Sequence, residues 1–260
     1  MGIIYNPQYG ARYGANYQPG SEFAGAADGP QGWAVPSSAA GFTALGIPPP
    51  TSLWLCQEAS GNLADSIGAN TLTAFGTVGY QASVTGWTRK AVTIAPAGAN
   101  GFRRTAGQQP NPATEDSLWI WYIQLTEAVG NLREILNGTD SAAGTEVQWR
   151  HNAGGKASIK VQAAIATEPS FVVQNDGLVH PYAMLFDNTS TRAGHYHDLG
   201  KIAGTYAVVV DGNKGLGGGV NLAAGMSVLW GALWVGADAR LTDTQIKARM
   251  NALRISVGWS

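Results

Sequence analysis

Thr145-Glu146-Val147-Gln148-Trp149-Arg150 alternates apolar and polar side chains, and Ala157-Ser158-Ile159-Lys160-Val161-Gln162 alternates again after the turn signal Asn152-Ala153-Gly154-Gly155. Successive side chains on a strand point to opposite faces. Val147 and Trp149 therefore share one side, while charge and amide share the other. The pair predicts a hairpin with one wet face. Two further strands are expected at Ser170 to Gln174 and His180 to Phe186. Leu118-Trp119-Ile120-Trp121-Tyr122-Ile123 is apolar on both faces, so it is either central in a sandwich or covered outside by another surface. A late helix is also legible. Thr242 and Gln245 have capping-box spacing, Ile246 and Met250 lie one turn apart, and Lys247 and Arg249 sit toward the end where cations suit the helix dipole. One short helix after many strands leaves the class all-β.

Composition agrees. The 260 residues are 45% apolar but only 13% charged, with 35 glycines and 9 tryptophans. Few charges and many glycines and aromatics suit short strands, tight turns and a polar but uncharged surface. A formal net charge of −1 argues against a nucleic-acid partner, whose phosphates attract clustered cations. Arg89-Lys90 and Arg103-Arg104 read as solvated strand ends. The single cysteine, Cys56, excludes an internal disulfide and reads as a buried core thiol. Met1 to Pro7 lacks a basic segment followed by an apolar core, and no stretch has the length and apolarity of a membrane span. These features predict a soluble chain synthesised in the cytoplasm.

Residues 1–50 differ from the rest. They hold seven of the twelve prolines, and their charged side chains are Arg12, Glu22 and Asp28. Tyr5, Tyr9, Tyr13 and Tyr17 recur every four residues, but the intervening glycines and prolines oppose a helix. An extended arm with tyrosines as spaced anchors is expected, and Ile47-Pro48-Pro49-Pro50 would stiffen its exit as a polyproline spacer. Two domains follow: an attachment arm over 1–50 and a β-sandwich over 51–260.

Leu53-Trp54-Leu55-Cys56-Gln57-Glu58-Ala59-Ser60-Gly61-Asn62-Leu63-Ala64-Asp65-Ser66 resembles the opening of laminin-G-like domains of the concanavalin A-like lectin/glucanase superfamily. Glu58, Gly61, Asp65 and Ser66 match that opening, while Gln57 stands where Asp is frequent. Tyr182 to Asp187 looks like the family's strand before a turn, and Gly194-His195-Tyr196-His197 like its return. Val210-Asp211-Gly212 and Leu233-Trp234-Val235-Gly236 fit later strands, and Leu241 to Ile246 looks like the closing Leu-Ser/Thr-Asp-x-x-Ile. The resemblance covers roughly residues 51–257. It implies a two-sheet antiparallel jelly roll with a concave face, one short C-terminal helix and the arm in front. Similar modules occur in virion proteins of tailed bacteriophages, as fibre or capsid-decoration parts.

The superfamily's hydrolases carry Glu-x-Asp-x-x-Glu on one strand, and retaining enzymes need their carboxylates about 5 Å apart. No such run is present. Glu115 and Asp116 are adjacent and would point to opposite sides, and Glu58 and Asp65 belong to the opening motif. No catalytic residue and no metal site is expected. His195 and His197 have ligand-compatible spacing but read as an exposed polar strand face, with His180 or Asp198 as guesses for a third ligand. Many relatives bind calcium, for which Asp187, Asn188 and Asp211 are the candidate oxygens. No serine-nucleophile arrangement stands out. Gly215-Leu216-Gly217-Gly218-Gly219 reads as a flexible turn rather than a phosphate cradle.

The leading functional expectation is a non-enzymatic virion structural protein, attached to other virion proteins by residues 1–50 and part of an oligomeric assembly. Tyrosines suit this role, bringing large contact area at low entropy cost. On this reading, deleting residues 1–45 leaves the sandwich folded. The alternative is a carbohydrate-binding module for host glycans, with Trp87, Trp149, Trp230 and Trp234 as stacking candidates. A glycoside hydrolase comes third. No nucleic acid and no membrane is expected as partner.

Overall fold

Two antiparallel sheets face each other across an apolar interior. The computed structural model describes residues 36–85, 87, 89–104, 115–126, 133–138, 147–151, 157–161, 164–167, 177–190, 192–197, 201–205, 214–218 and 224–256. The strands of these residues are β1 (Ser52–Trp54), β2 (Thr73–Phe75), β3 (Val78–Ser83), β4 (Lys90–Ile94), β5 (Asn100–Arg103), β6 (Ser117–Leu125), β7 (Arg133–Gly138), β8 (Val147–His151), β9 (Ala157–Val161), β10 (Ala164–Thr167), β11 (His180–Asp187), β12 (Arg192–His197), β13 (Lys201–Thr205), β14 (Lys214–Gly218) and β15 (Met226–Val235). An eight-stranded sheet runs β13-β12-β11-β6-β15-β4-β3, with β1 also paired to β15, and a seven-stranded sheet runs β10-β9-β8-β7-β14-β5-β2. The expected all-β sandwich is thus present. Helix α1 (Ala39–Ala44) precedes the strands, and helix α2 (Asp243–Ser256) follows them.

The seven-stranded sheet is patterned in rows across its strands. Ala74 pairs with Phe102, Phe102 with Leu216, Leu216 with Leu136, Leu136 with Trp149, Trp149 with Ile159 and Ile159 with Ala166. This row is apolar from edge to edge, and Phe102 and Leu216 lie buried in the inter-sheet core. A register shift between Glu134 and Leu136 marks a bulge that leaves Ile135 as an extra core residue. The expected hairpin is β8 paired to β9, with Trp149 opposite Ile159. Its turn at 152–155 and the strand expected at 170–174 lie outside the described residues. The glycine-rich run departs from expectation. Residues 214–218 form strand β14, flanked by β7 and β5, rather than a turn. One apolar side chain, Leu216, suffices to seat this strand, and alternation hides that signal when its neighbours have no side chains.

The eight-stranded sheet is apolar on both faces. From β6, Trp119, Trp121 and Ile123 enter the inter-sheet core, while Leu118, Ile120 and Tyr122 enter a second cluster on the opposite face. The two readings open for this strand are therefore both realised. On β15 a register shift between Val228 and Trp230 puts Leu229 and Trp230 together in the outer cluster, and alternation then sends Leu233 inward and Trp234 outward. Gly231 pairs with Trp54 on one side and Trp121 on the other. The two indoles stack at 5.2 Å between centroids across it, and a Cβ at Gly231 would sit 2.0 Å from the Trp121 ring. Only glycine admits this close approach.

The outer apolar face is covered by the chain itself. In α1, Phe42 is fully buried between Trp230 and Trp234, with ring centroids 5.9 and 5.7 Å away. Ser38 caps this helix by accepting from Gly41 N. The indole of Trp230 donates to Pro36 O at 2.9 Å and that of Trp234 to Pro48 O at 2.8 Å. The expected boundary at residue 50 is therefore misplaced for the described part of the arm. Residues 36–50 form a strap on the sheet, and the prolines 48–50 belong to it instead of leading away as a spacer. Isolated apolar residues such as Phe42 and Ile47 gave no periodicity by which to see this. From the other end, α2 buries Ile246, Met250 and Leu253 in the same cluster. Its capping box forms as expected, Thr242 N donating to Gln245 Oε1 at 2.9 Å and Gln245 N to Thr242 Oγ1 at 3.3 Å. Arg249 lies over Trp234, 4.7 Å from its centroid, and burial lowers its guanidinium to about 10.

Polar groups fix the loops at the strand ends. Asp65 accepts from the backbone N–H groups of Leu53, Ile67, Gly68 and Asn70, which explains its place in the opening motif. Arg89 and Arg104, expected as solvated strand ends, are instead buried at 6% and 4% exposure.

Candidate ligand-binding face

The row adjoining the apolar one on the seven-stranded sheet has the opposite character. Thr73 pairs with Arg103, Arg103 with Gly215, Gly215 with Asn137, Asn137 with Gln148, Gln148 with Lys160 and Lys160 with Ile165. One residue from each of seven strands forms this line, and until the edge position Ile165 every member is polar or glycine. Since the apolar row holds Phe102 and Leu216 of the core, alternation sets this one on the outer face. Flanking it are the outer pairings Glu134–Arg150–Ser158–Thr167 at one end and Phe75–Gly101–Gly217 at the other. At about 4.8 Å per strand, the seven-residue line is about 29 Å long.

Arg103 and Phe75 build its best-defined part. The guanidinium carbon lies 3.8 Å from the centroid of the Phe75 ring, a cation–π contact between two half-buried side chains. Gly101, Gly215 and Gly217 adjoin them in the ladder and contribute backbone alone. By residue type the row consists of amides, a hydroxyl, cations and glycine, a composition that suits a polyhydroxylated ligand. Sequence reading missed Arg103 and this row. Val147/Gln148 alternation gave the wet face of one hairpin, but the register joining seven strands is a long-range property.

Of the tryptophans expected to stack sugars, Trp230 and Trp234 are fully buried under the strap with both indole N–H groups bonded, and they face away from this surface. Their burial follows from the bulge that puts them on the covered side. Trp149 holds a position in the apolar row. Trp87 is half-buried 6.3 Å from Tyr122, on the strapped side of the eight-stranded sheet. Tyr5, Tyr9, Tyr13 and Tyr17 lie outside the described residues.

The histidine and acid candidates have structural duties. His195 is fully buried beside Tyr182, with ring centroids 5.9 Å apart, so its strand face is not the exposed polar one expected. Asp187 accepts from Ser190 N and pairs with Arg192 at 3.6 Å, which commits the carboxylate suggested for calcium. Asp198 and Asp211 lie outside the described residues, and among the described residues no three His, Cys, Asp or Glu side chains group as a metal site. Asp116 is buried and accepts from Asn188 N, Thr189 N, Thr189 Oγ1 and Arg240 Nε. Burial acts to raise its carboxyl, but the bonds from Arg240, Thr189 and Asn188 outweigh that and hold it below the ordinary value. Tyr196 donates to Asp243 at 2.6 Å, and burial together with that carboxylate pushes its hydroxyl well up. Glu58 accepts from Ala64 N, in keeping with a structural part in the opening loop. Cys56 is buried as expected, and burial raises its thiol. No described helix is long and apolar enough to cross a membrane.

Solved structures share this architecture at low identity. A sialidase from Trypanosoma rangeli matches 90% of this chain with TM-score 0.58 and 12% identity, and that sialidase has also been solved in complex with sialic acid. The shared fold is an antiparallel two-sheet β-sandwich. The binding domain of botulinum neurotoxin DC, in complex with SialylT, matches 78% at TM-score 0.55 and 10% identity, and that of serotype D matches 78% at TM-score 0.52 and 9% identity. The chain spans 36% of the sialidase and 51% and 50% of the two toxin structures. No protein-family model matches the chain, and no curated protein does.

Proposed function

We propose that this protein is a carbohydrate-binding β-sandwich that receives its ligand across the outer face of the seven-stranded sheet. The observation that carries the reading is the line Thr73–Arg103–Gly215–Asn137–Gln148–Lys160, one polar or glycine position per strand. The shared fold supports it, since the sialidase and the neurotoxin DC binding domain above were solved with sialic acid and with SialylT, respectively. The role proposed is binding, with no bond broken. Among the carboxylates described, Asp65, Asp116 and Asp187 are engaged by backbone donors or arginines away from this face. The test is a glycan array with the full chain, beside a variant carrying Asn137→Ala and Gln148→Ala. Hits that weaken in the variant are expected. An array blank at about millimolar sensitivity, about 4 kcal/mol of binding, overturns the reading.

A second reading has its own observation and is compatible with the first. The segment before residue 36 starts from a fixed point, because Trp230 and Trp234 clamp Pro36 and Pro48. That geometry suits a tether whose tyrosines Tyr5, Tyr9, Tyr13 and Tyr17 dock the sandwich onto a larger assembly such as a virion, after synthesis in a host cytoplasm. Deleting residues 1–35, which leaves the strap intact, should abolish incorporation into particles; normal incorporation would sink this idea.

A further inference from the structure

We propose that the strap of residues 36–50 is an exchangeable cover, and that two copies of this chain join by each laying its strap on the outer apolar face of the other. The two covers of that face are held in different ways. Helix α2 is latched by charge. Asp243 accepts from Tyr196 at 2.6 Å and pairs with Arg192 at 3.3 Å, and Arg249 donates to Asp238 O at 2.9 Å. The strap, by contrast, carries no charged residue from Pro36 to Pro50. Among the described residues its polar ties to the sheet are the bonds from the Trp230 indole to Pro36 O and from the Trp234 indole to Pro48 O. The rest of its hold is apolar, chiefly the burial of Phe42 and Ile47.

The strap is also built to move as one piece. Leu45 N and Ile47 N donate to Phe42 O, and Gly46 N donates to Thr43 O, so these bonds travel with it. The backbone joins the sheet at Thr51, whose N–H donates to Leu233 O at 2.7 Å. Between these points lie Pro48, Pro49 and Pro50, which have no N–H with which to pin the connector, and the first two are exposed. The strap precedes every described strand, so lifting it about this connector unpairs none of them. An uncovered apolar face is driven to find a partner. The strap of a second copy fits it in advance, because it repeats each contact made within one chain. Closure within a chain and between chains then differs in effective concentration, which is of millimolar order for a short connector. Dilute copies stay closed on themselves, and copies crowded side by side exchange.

The experiment replaces Leu45, half-buried against the outer cluster, with the photocrosslinker p-benzoylphenylalanine in full chains of light and heavy isotope. The two are mixed, brought to equilibrium, irradiated and digested. Crosslinks from the strap of one isotope to the eight-stranded sheet of the other should be at least about 10-fold more abundant at about 1 mM than at about 10 µM. Small-angle scattering of the wild-type chain at about 1 mM should show a population of doubled mass that reverts on dilution. Trp230→Phe removes one indole donor and keeps a ring, so it should speed that reversion about 5-fold, the worth of one hydrogen bond. Crosslinks confined to a single isotope at both concentrations overturn the proposal. So does a dimer whose interchain crosslinks avoid the outer apolar face, or one whose reversion ignores Trp230→Phe. If the label at Leu45 disturbs the circular dichroism spectrum, the wild-type chain still decides, since a single mass at about 1 mM overturns the proposal.

Discussion

On its outer side the eight-stranded sheet carries Leu118, Ile120, Tyr122, Trp230 and Trp234, none with any solvent exposure. The corresponding side of the seven-stranded sheet carries Thr73, Arg103, Asn137, Gln148 and Lys160 in one line. Both sheets meet the same demand inward, where alternate residues fill a shared core. They differ in what happens outside. An apolar outer face must be removed from water, and here the strap of residues 36–50 and helix α2 perform that service from opposite ends of the chain. A polar outer face is stable without such a cover.

The largest way to break this contrast is to uncover the apolar face. Deleting residues 1–50 should expose the indole pair and give an insoluble or molten chain, while deleting 1–35 should leave a folded one; far- and near-ultraviolet circular dichroism separates the outcomes. This replaces the simpler expectation that removing 1–45 is harmless, because Phe42 would go with it. Phe42→Ala alone should cost about 3–5 kcal/mol in urea unfolding, the range for emptying a buried aromatic site. Gly231→Ala probes the inner side of the same sheet. Its Cβ would enter the Trp121 ring, and a loss of about 3 kcal/mol in thermal denaturation is expected, at the upper end of ordinary overpacking.

A pH titration sharpens the picture at the junction of sheet and helix. Asp116 has a folded value below its unfolded one, so its stabilisation is complete above about pH 4 and is lost as pH falls through the folded value. Asp116→Asn should lower the melting temperature at pH 7 and flatten the acid limb of the wild-type profile. The smallest effect belongs to the other sheet. Gln148→Ala should change stability by less than about 0.5 kcal/mol, and a larger loss would mean that the polar line is itself covered.

Much of the architecture was legible where a local rule is strong. The β8–β9 hairpin follows from alternation, α2 from its capping box, and the two-sided apolarity of β6 offered core and outer cover as alternatives, of which the structure realises both. What escaped depended on contacts between distant segments. Phe42 and Ile47 look incidental in a Pro/Gly-rich stretch until Trp230 and Trp234 are placed beneath them. The run 214–218 hides a strand because only Leu216 carries the pattern. Tryptophan exposure was misjudged at 230 and 234 because the shift between Val228 and Trp230 changes which side of the sheet they occupy. The candidate face needed the register of all seven strands, which no single stretch encodes.

Strand β15 has a consequence for the order of folding. It pairs with β1, β4 and β6, so the middle of the eight-stranded sheet cannot close until residues 226–235 have been synthesised. The bond from Trp230 to Pro36 joins positions 194 residues apart. Contacts of such sequence separation form slowly. The strap, made early, must therefore wait on the ribosome for a docking site made late, and its apolar residues are held in solution meanwhile. Slowing synthesis over the final third of the chain should prolong the interval in which nascent chains need chaperone protection, more than an equal delay near the start.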